Sequence, residues 1–324
     1  MRIEPFLLPL LVVALAVAPE SAALDAQGRL RERVDTGRQS IQAEKPHTIV
    51  VGGRQRSYLV HDFSRERQAP VVIVLHGGGG NAENAVRMTG FDRIGQREGL
   101  IVVYPNGTAA RERVPLLTWN AGHCCASAMK TGVDDVAFVS EVIDALVNGG
   151  RADPSRVYVT GMSNGAMMAH RLGRELSTKI AAIAPVVGAV FGDERPPVGP
   201  VPAFIIVGAD DSIVHVAGGS LQVRALTGGG SAADHDVAPA IEQARYWAKA
   251  NGCGKPTTTE GQGSTVMEWR DCTSGAPVIF HTVAHNGHAW PGGAPGRAGA
   301  AVPTQDLDAS AQMWAFFATQ RRAR

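Results

Sequence analysis

The chain has 324 residues, 44% of them apolar, enough to bury the core of one large α/β domain. Its 31 basic and 30 acidic residues leave a net charge of +1 and are spread without a basic stripe. That excludes the electrostatic footprint of nucleic-acid binding.

The N-terminus reads MRIEP, then the apolar run FLLPLLVVALAVA, then small residues at Ser21, Ala22 and Ala23. A charged start, an apolar stretch too short to span a bilayer comfortably and a small-residue site predict a secretory signal peptide over 1–23, cut after Ala23. No later segment is apolar enough to cross a membrane, so a secreted protein, extracellular or periplasmic, without stable membrane insertion is expected. Residues 24–46 are polar and predict a poorly ordered lead-in. Residues 47–324 are then expected to form a single catalytic domain.

HTIVVGGRQRSYLVHDF predicts a hairpin turned at Gly52 and Gly53. Six short apolar runs follow: VVIVLHG (71–77), LIVVYPNG (100–107), RVYVTG (156–161), AAIAPVVG (181–188), AFIIVG (203–208) and PVIFHTVA (277–284). Near-continuous apolar runs suit strands covered on both faces, the environment of a parallel sheet. Between them, DDVAFVSEVIDALVNGG carries apolar residues at Val136, Val139, Ile143 and Leu146, an Asp134 or Asp135 cap and a Gly149-Gly150 end. APAIEQARYWAKANG and DASAQMWAFFA add two more helices. The alternation predicts an α/β fold, a mostly parallel central sheet with helices on both faces. The stretches 192–200 and 217–232 read as surface loops near the carboxyl edge of that sheet.

A serine hydroxyl is a poor nucleophile at neutral pH. It needs a base within hydrogen-bond reach, an orienting group behind the base and donors for the developing oxyanion. RVYVTGMSNGAMMAHRL places Ser163 between Gly161 and Gly165, where the strand prediction meets a helix prediction. Chance alone gives about 0.2 such Gly-x-Ser-x-Gly matches in a chain this rich in glycine, so the strand-to-helix setting carries the reading. The acid should follow a later strand, and AFIIVGADDSIVH offers Asp210 and Asp211. Spacing does not choose between them, and either can instead cap a turn. HTVAHNGHAWPGG offers His281, His285 and His288; His281 lies in the strand-like run, whereas His288 sits on a Gly-flanked loop that can present an imidazole. With neither a helical HExxH nor a close acidic ligand, these histidines do not read as a zinc set, and no metal or other cofactor is expected. LHGGGGN follows an early strand, and the Gly78 amide with that of Asn164 would form an oxyanion hole. His76 is expected to brace that loop and His170 to lie on a helix surface.

Four cysteines allow three pairings. Cys253 follows a helix end and Cys272 a strand-like TVMEWRD, so a bridge would staple the two; adjacent Cys124 and Cys125 either bridge as neighbours or stay reduced.

With these pieces assembled, the chain resembles the esterases that include polyhydroxybutyrate depolymerases of the short LpqC-like type and the related feruloyl and acetylxylan esterases. The resemblance covers about residues 47–318. It rests on LHGGGGNAE, IVVYPNG, TWNAGHCCASA, GVDDVAF, VYVTGMSNGAMMAHRL, GADDSIVHVAGG, WAKANGC, NGHAWPGG and DASAQMWAFF. It implies an α/β-hydrolase fold, ester hydrolysis through an acyl-enzyme, no metal and secretion. It implies Ser163 as nucleophile, Asp211 as acid, His288 as base and a Cys253–Cys272 bridge. Its motifs also place Trp119 and Trp290 near the cleft, where either could stack on substrate or simply pack. Two departures stand out: His215 and Val216 replace the usual Pro and Tyr after the acid, and HNGH replaces GGGH. Both are expected to border the pocket. The expected partner is an ester, as small molecule, oligomer or polymer. A peptidase or amidase on the same fold and a non-catalytic relative are the alternatives, and the intact triad and near-complete motif set argue against them.

Overall fold

A computed structural model describes residues 45–109, 116–221, 233–296 and 299–322. The expected signal peptide and most of the lead-in lie outside the described residues, as does 222–232 of the glycine-rich stretch.

The predicted hairpin is present as β1 (His47–Val51) and β2 (Arg54–Asp62), antiparallel across Gly52-Gly53. The six apolar runs become β3 (Ala69–Leu75), β4 (Ile101–Pro105), β5 (Ala152–Met162), β6 (Ala182–Val186), β7 (Ala203–Gly208) and β10 (Val278–Val283). They pair in parallel in the order β4-β3-β5-β6-β7-β10. The strands β8 (Thr257–Gly261) and β9 (Ser264–Trp269) extend the sheet antiparallel beyond β10. The described sheet thus has ten strands, with antiparallel pairs at both edges around a parallel centre.

Alternate residues of the central strands feed two cores. Ile73, Val103, Val159 and Ile205 face one side, while Val72, Val102, Tyr158 and Ile206 face the other. A period of two buried on both faces is what a sheet sandwiched between helices requires. The first face is covered by α4 (Asp135–Asn148), α5 (Asn164–Glu175) and α6 (Ile241–Ala250), through residues such as Phe138, Leu172 and Trp247. The second is covered by α1 (Ala82–Thr89), α2 (Phe91–Glu98) and α7 (Ala309–Phe317), through Met88, Phe91 and Phe317. The short α3 (Ala126–Lys130) follows Cys124 and Cys125. Asp134 is the cap of α4, accepting from the Ala137 amide, which leaves Asp135 for a different task.

The Sγ atoms of Cys253 and Cys272 lie at bonding distance and join the end of α6 to the segment after β9; those of Cys124 and Cys125 are also at bonding distance. Among the described residues no helix is long and apolar enough to cross a membrane.

His170 corrects an expectation. It does not lie on the helix surface but is buried between α5 and α6. Its Nε2–H donates to Gln243 Oε1 at 2.8 Å, and its Nδ1 accepts from the Trp247 indole at 2.9 Å. Two partners that together occupy one donor and one acceptor define a neutral ring, and burial holds its pKa down to about 4. The unfolded chain takes up a proton near pH 6.5 that the folded ring refuses until about pH 4. Its stabilising contribution is therefore complete above pH 6.5 and is lost as pH falls from 6.5 towards 4, by on the order of 3 kcal/mol. Urea midpoints measured at pH 7.5 and 4.5 should show that loss, and His170→Gln should flatten the slope across the window.

Candidate active site

Ser163 stands where β5 turns into α5, with φ 56° and ψ −120°, a conformation that L-residues adopt only under constraint. The constraint is contact. A Cβ at Gly161 would lie 2.6 Å from the Gly165 carbonyl oxygen, and one at Gly165 would lie 2.6 Å from the Leu75 carbonyl oxygen. Both distances are shorter than real Cβ contacts, so both flanking positions require glycine. The Ser163 amide donates to Val186 O at 3.0 Å, and its carbonyl accepts the Met167 amide at 2.9 Å, which ties the turn to β6 and to the helix it starts.

The end of β7 supplies the acid and the loop after β10 the imidazole. Asp211 is buried: its Oδ1 accepts the Ile213 and Val214 amides at 2.8 and 2.9 Å, and its Oδ2 lies 2.8 Å from His288 Nδ1. A carboxylate can only accept, so Nδ1 carries the proton and Nε2 is left basic. Asp210 is exposed and lies 3.8 Å from exposed His285. Of the two carboxylates left open by spacing, Asp211 is the one buried against His288. His281 is buried within β10, so the three histidines do not converge as metal ligands would. The loop carrying His288 is braced by buried Asn286, whose Nδ2 donates to Gly287 O and Ala289 O at 3.0 Å and whose Oδ1 accepts the Thr304 amide at 3.2 Å.

Ser163, Asn164, His288 and the glycines 77–80 line one cavity of about 460 Å³. Two of those glycine amides are already committed, Gly79 to Leu117 O at 2.7 Å and Gly80 to Gly77 O at 2.9 Å. Among the described residues no acceptor meets the Gly78 amide. Behind the loop, fully buried His76 donates from Nδ1 to Gly77 O at 2.8 Å and accepts the Gly107 amide at Nε2 at 3.0 Å. The sequence predicts the brace; burial lowers the His76 pKa to about 4, so the ring that forms it is neutral. The Asn164 side chain clamps the Trp119 backbone, accepting its amide at 2.7 Å and donating to its carbonyl at 3.1 Å.

The two tryptophans separate. Trp119 does not line the cavity: it is fully buried, its indole N–H donates to His76 O at 2.9 Å, and its ring lies 4.8 Å from the His76 ring. Trp119 packs under the loop and is not among the residues that line the cavity. Trp290 does line the cavity, anchored by an indole N–H to Ser310 Oγ at 3.1 Å and an edge contact with Phe91. His215, Val216 and His285 are exposed and Asn286 is buried in its brace; none of the four lines the cavity, although their chain neighbours Val214 and His288 do.

Sequence reasoning missed one support. Buried Arg56 on β2 donates to Asp135 Oδ1 at 2.6 Å and to Asn106 O at 3.1 Å, while Asp135 Oδ2 accepts the Asn120 amide at 2.7 Å. This pair joins β2, α4 and the two loops that run to Gly107 and Trp119. The signal was the second aspartate of GVDDVAF, which reads locally as a cap.

Gly165→Ala should destabilise the protein by about 1–3 kcal/mol in urea unfolding, because the β3 and α5 backbones must part to admit a methyl group.

Comparisons with known proteins place the chain in a family and a fold. Residues 56–237 match the family model described as Esterase PHB depolymerase. NocK of Nocardia uniformis subsp. tsuyamanensis, a protein assigned to the esterases, is 30% identical over 259 residues, 76% of this chain and 73% of its own length. Feruloyl esterase B of Piromyces equi is 28% identical over 236 residues, which are 70% of this chain but only 41% of that larger protein. Among solved structures, the acetyl xylan esterase from Aspergillus awamori superposes with a TM-score of 0.56 at 14% identity, covering 85% of this chain and 99% of its own; at that identity the likeness concerns the fold, an α/β hydrolase. With its family model matched over more than half its length, the chain belongs to the esterase PHB depolymerase family, enzymes that hydrolyse carboxylic esters.

Proposed function

We propose that the protein is an exported serine esterase acting through an acyl-enzyme, with Ser163 as nucleophile, His288 as base and Asp211 as the group that orients it. The observation that carries this reading is the strained Ser163 turn sharing one cavity with an imidazole whose Nδ1 is held by a buried carboxylate. His288 Nε2 takes the Ser163 proton as Oγ attacks the ester carbonyl, and Asp211 stabilises the imidazolium that results. The Gly78 and Asn164 amides receive the oxyanion. The protonated imidazole then gives its proton to the leaving alcohol, and water repeats the sequence to release the acid. None of these steps requires a metal or an organic cofactor.

The cavity supports a small or oligomeric ester as substrate. Its walls include Met88, Met162, Met167, Val214, Leu221 and Trp290, an apolar lining suited to an acyl chain or a ring. We assign the substrate to hydroxyalkanoate oligomers or to feruloyl and acetyl esters of plant cell walls. The feruloyl esterase among the relatives and the poly(3-hydroxyalkanoate) depolymerase C of Paucimonas lemoignei, 28% identical over 123 residues (38% of this chain, 28% of its own), support that range. Export rests on the N-terminal pattern of residues 1–23, and an oxidising compartment would keep Cys253 and Cys272 bridged.

Purified protein lacking the signal segment should hydrolyse at least one of methyl ferulate, acetylated xylan and soluble 3-hydroxybutyrate oligomers. Ser163→Ala should abolish turnover without lowering the melting temperature, and Asp211→Asn should lower kcat by on the order of 10⁴. Full activity in Ser163→Ala overturns the assignment.

A further inference from the structure

The polar side chains lining the cavity are few, and most are already occupied. Asn81 accepts the Asn84 amide at 2.8 Å as the cap of α1, and Asn84 donates to Gly296 O at 2.5 Å. Asn164 is spent on the Trp119 backbone and His288 on Asp211. Ser163, exposed Ser212 and Arg87 also line it, and Arg87 is the charged one among the described lining residues besides the histidine.

Arg87 lies in the last turn of α1, three residues after Asn84, which brings it to the same face of the helix. It is exposed, and among the described residues no carboxylate forms an ion pair with it; Glu83, one turn earlier, stays out of range. Among the described residues no acidic side chain lines the cavity, and the Asp211 charge behind His288 is already met by two amides and the imidazole. Among the described residues the active-site mouth therefore carries one cation without a counter-ion. A guanidinium presents a planar fork of donors that fits a carboxylate in two parallel hydrogen bonds. A cleft with one sign of charge also concentrates ligands of the other.

Resting on the serine-esterase reading of this cavity, we propose that Arg87 is a specificity-determining residue that selects esters bearing a free carboxylate. Among the substrate classes above, that favours hydroxyalkanoate oligomers, which end in a carboxylate, over acetyl groups on a neutral sugar chain. The carboxylate can belong to the leaving alcohol, as in a 3-hydroxybutyrate dimer, or to the acyl half, as in a hemisuccinate. Both offer Arg87 the same chemistry.

The test compares kcat/KM at pH 7.5 for two matched pairs: the 3-hydroxybutyrate dimer against its terminal amide, and p-nitrophenyl hemisuccinate against p-nitrophenyl butyrate. The proteins are wild type, Ser163→Ala, Arg87→Lys, Arg87→Gln and Arg87→Glu. The expected result is a preference of about fivefold or more for the charged member of one pair, carried by KM and weakened by high salt. That preference should be partly kept by Arg87→Lys, lost in Arg87→Gln and reversed in Arg87→Glu. The responding pair identifies which half of the ester carries the carboxylate. Equal charged-to-neutral ratios in wild type and all three Arg87 variants, with turnover still dependent on Ser163, overturn the inference and leave the esterase reading standing. Absence of Ser163-dependent turnover on all four esters overturns both.

Discussion

The site is organised by one close approach of backbones. Gly161 and Gly165 let the turn after β5 press against the end of β3 so tightly that a methyl group at Gly165 would lie 2.6 Å from the Leu75 carbonyl oxygen. That contact holds Ser163 in its strained conformation and sets the HGGGG loop directly beside it. Everything needed for charge to develop at one point, the hydroxyl and the amides that would receive an oxyanion, follows from two missing side chains.

Close packing of this kind takes polar groups out of water, and a relay of hydrogen bonds holds those beneath the glycine loop. His76 spans the gap between the loop and Gly107 as a neutral ring, Trp119 donates to the His76 carbonyl, and Asn164 holds Trp119 in turn. The chain ends at a buried ion pair. Burial pushes the Asp135 carboxyl upward while Arg56 pulls against it, and the Arg56 guanidinium stacks 4.1 Å over the Phe138 ring. Removing either charge would strand the other, a cost of several kcal/mol, so the pair acts as a fixed anchor for the loops above it.

The two halves of the site reach the cavity from opposite directions in the chain. Ser163 and the glycine loop come from the central strands β3 and β5, where the sheet is most deeply buried; Asp211 and His288 come from loops after β7 and β10. Asp211 and His288 are held by short-range contacts within their own loops: Asp211 by the amides that follow it, His288 by the Asn286 brace. The proposed role of Arg87 in substrate selection belongs to the cavity wall, apart from these two loops.

Much of this was legible in the residues alone. The six parallel strands were readable because both their faces are buried, which writes an unbroken apolar run, and the Gly-x-Ser-x-Gly turn because its strain demands particular residues at fixed spacing. Helix α2 was not, since FDRIGQRE is mostly polar and only Phe91, Ile94 and Gly95 are buried; nor was β8, whose TTTEG is exposed throughout and is a strand only because β9 pairs with it. Asp210 and Asp211 are identical in type and adjacent, and what separates them is which carboxylate points inward to His288. His170, Trp119 and Asp135 each looked like a surface, cleft or cap residue, and each became a buried partner of a group far away in the chain. Local pattern determines elements and turns because it records how each segment meets its own surroundings. Burial and pairing of single side chains are decided by which distant segments close over them, and that is a property of the tertiary fold.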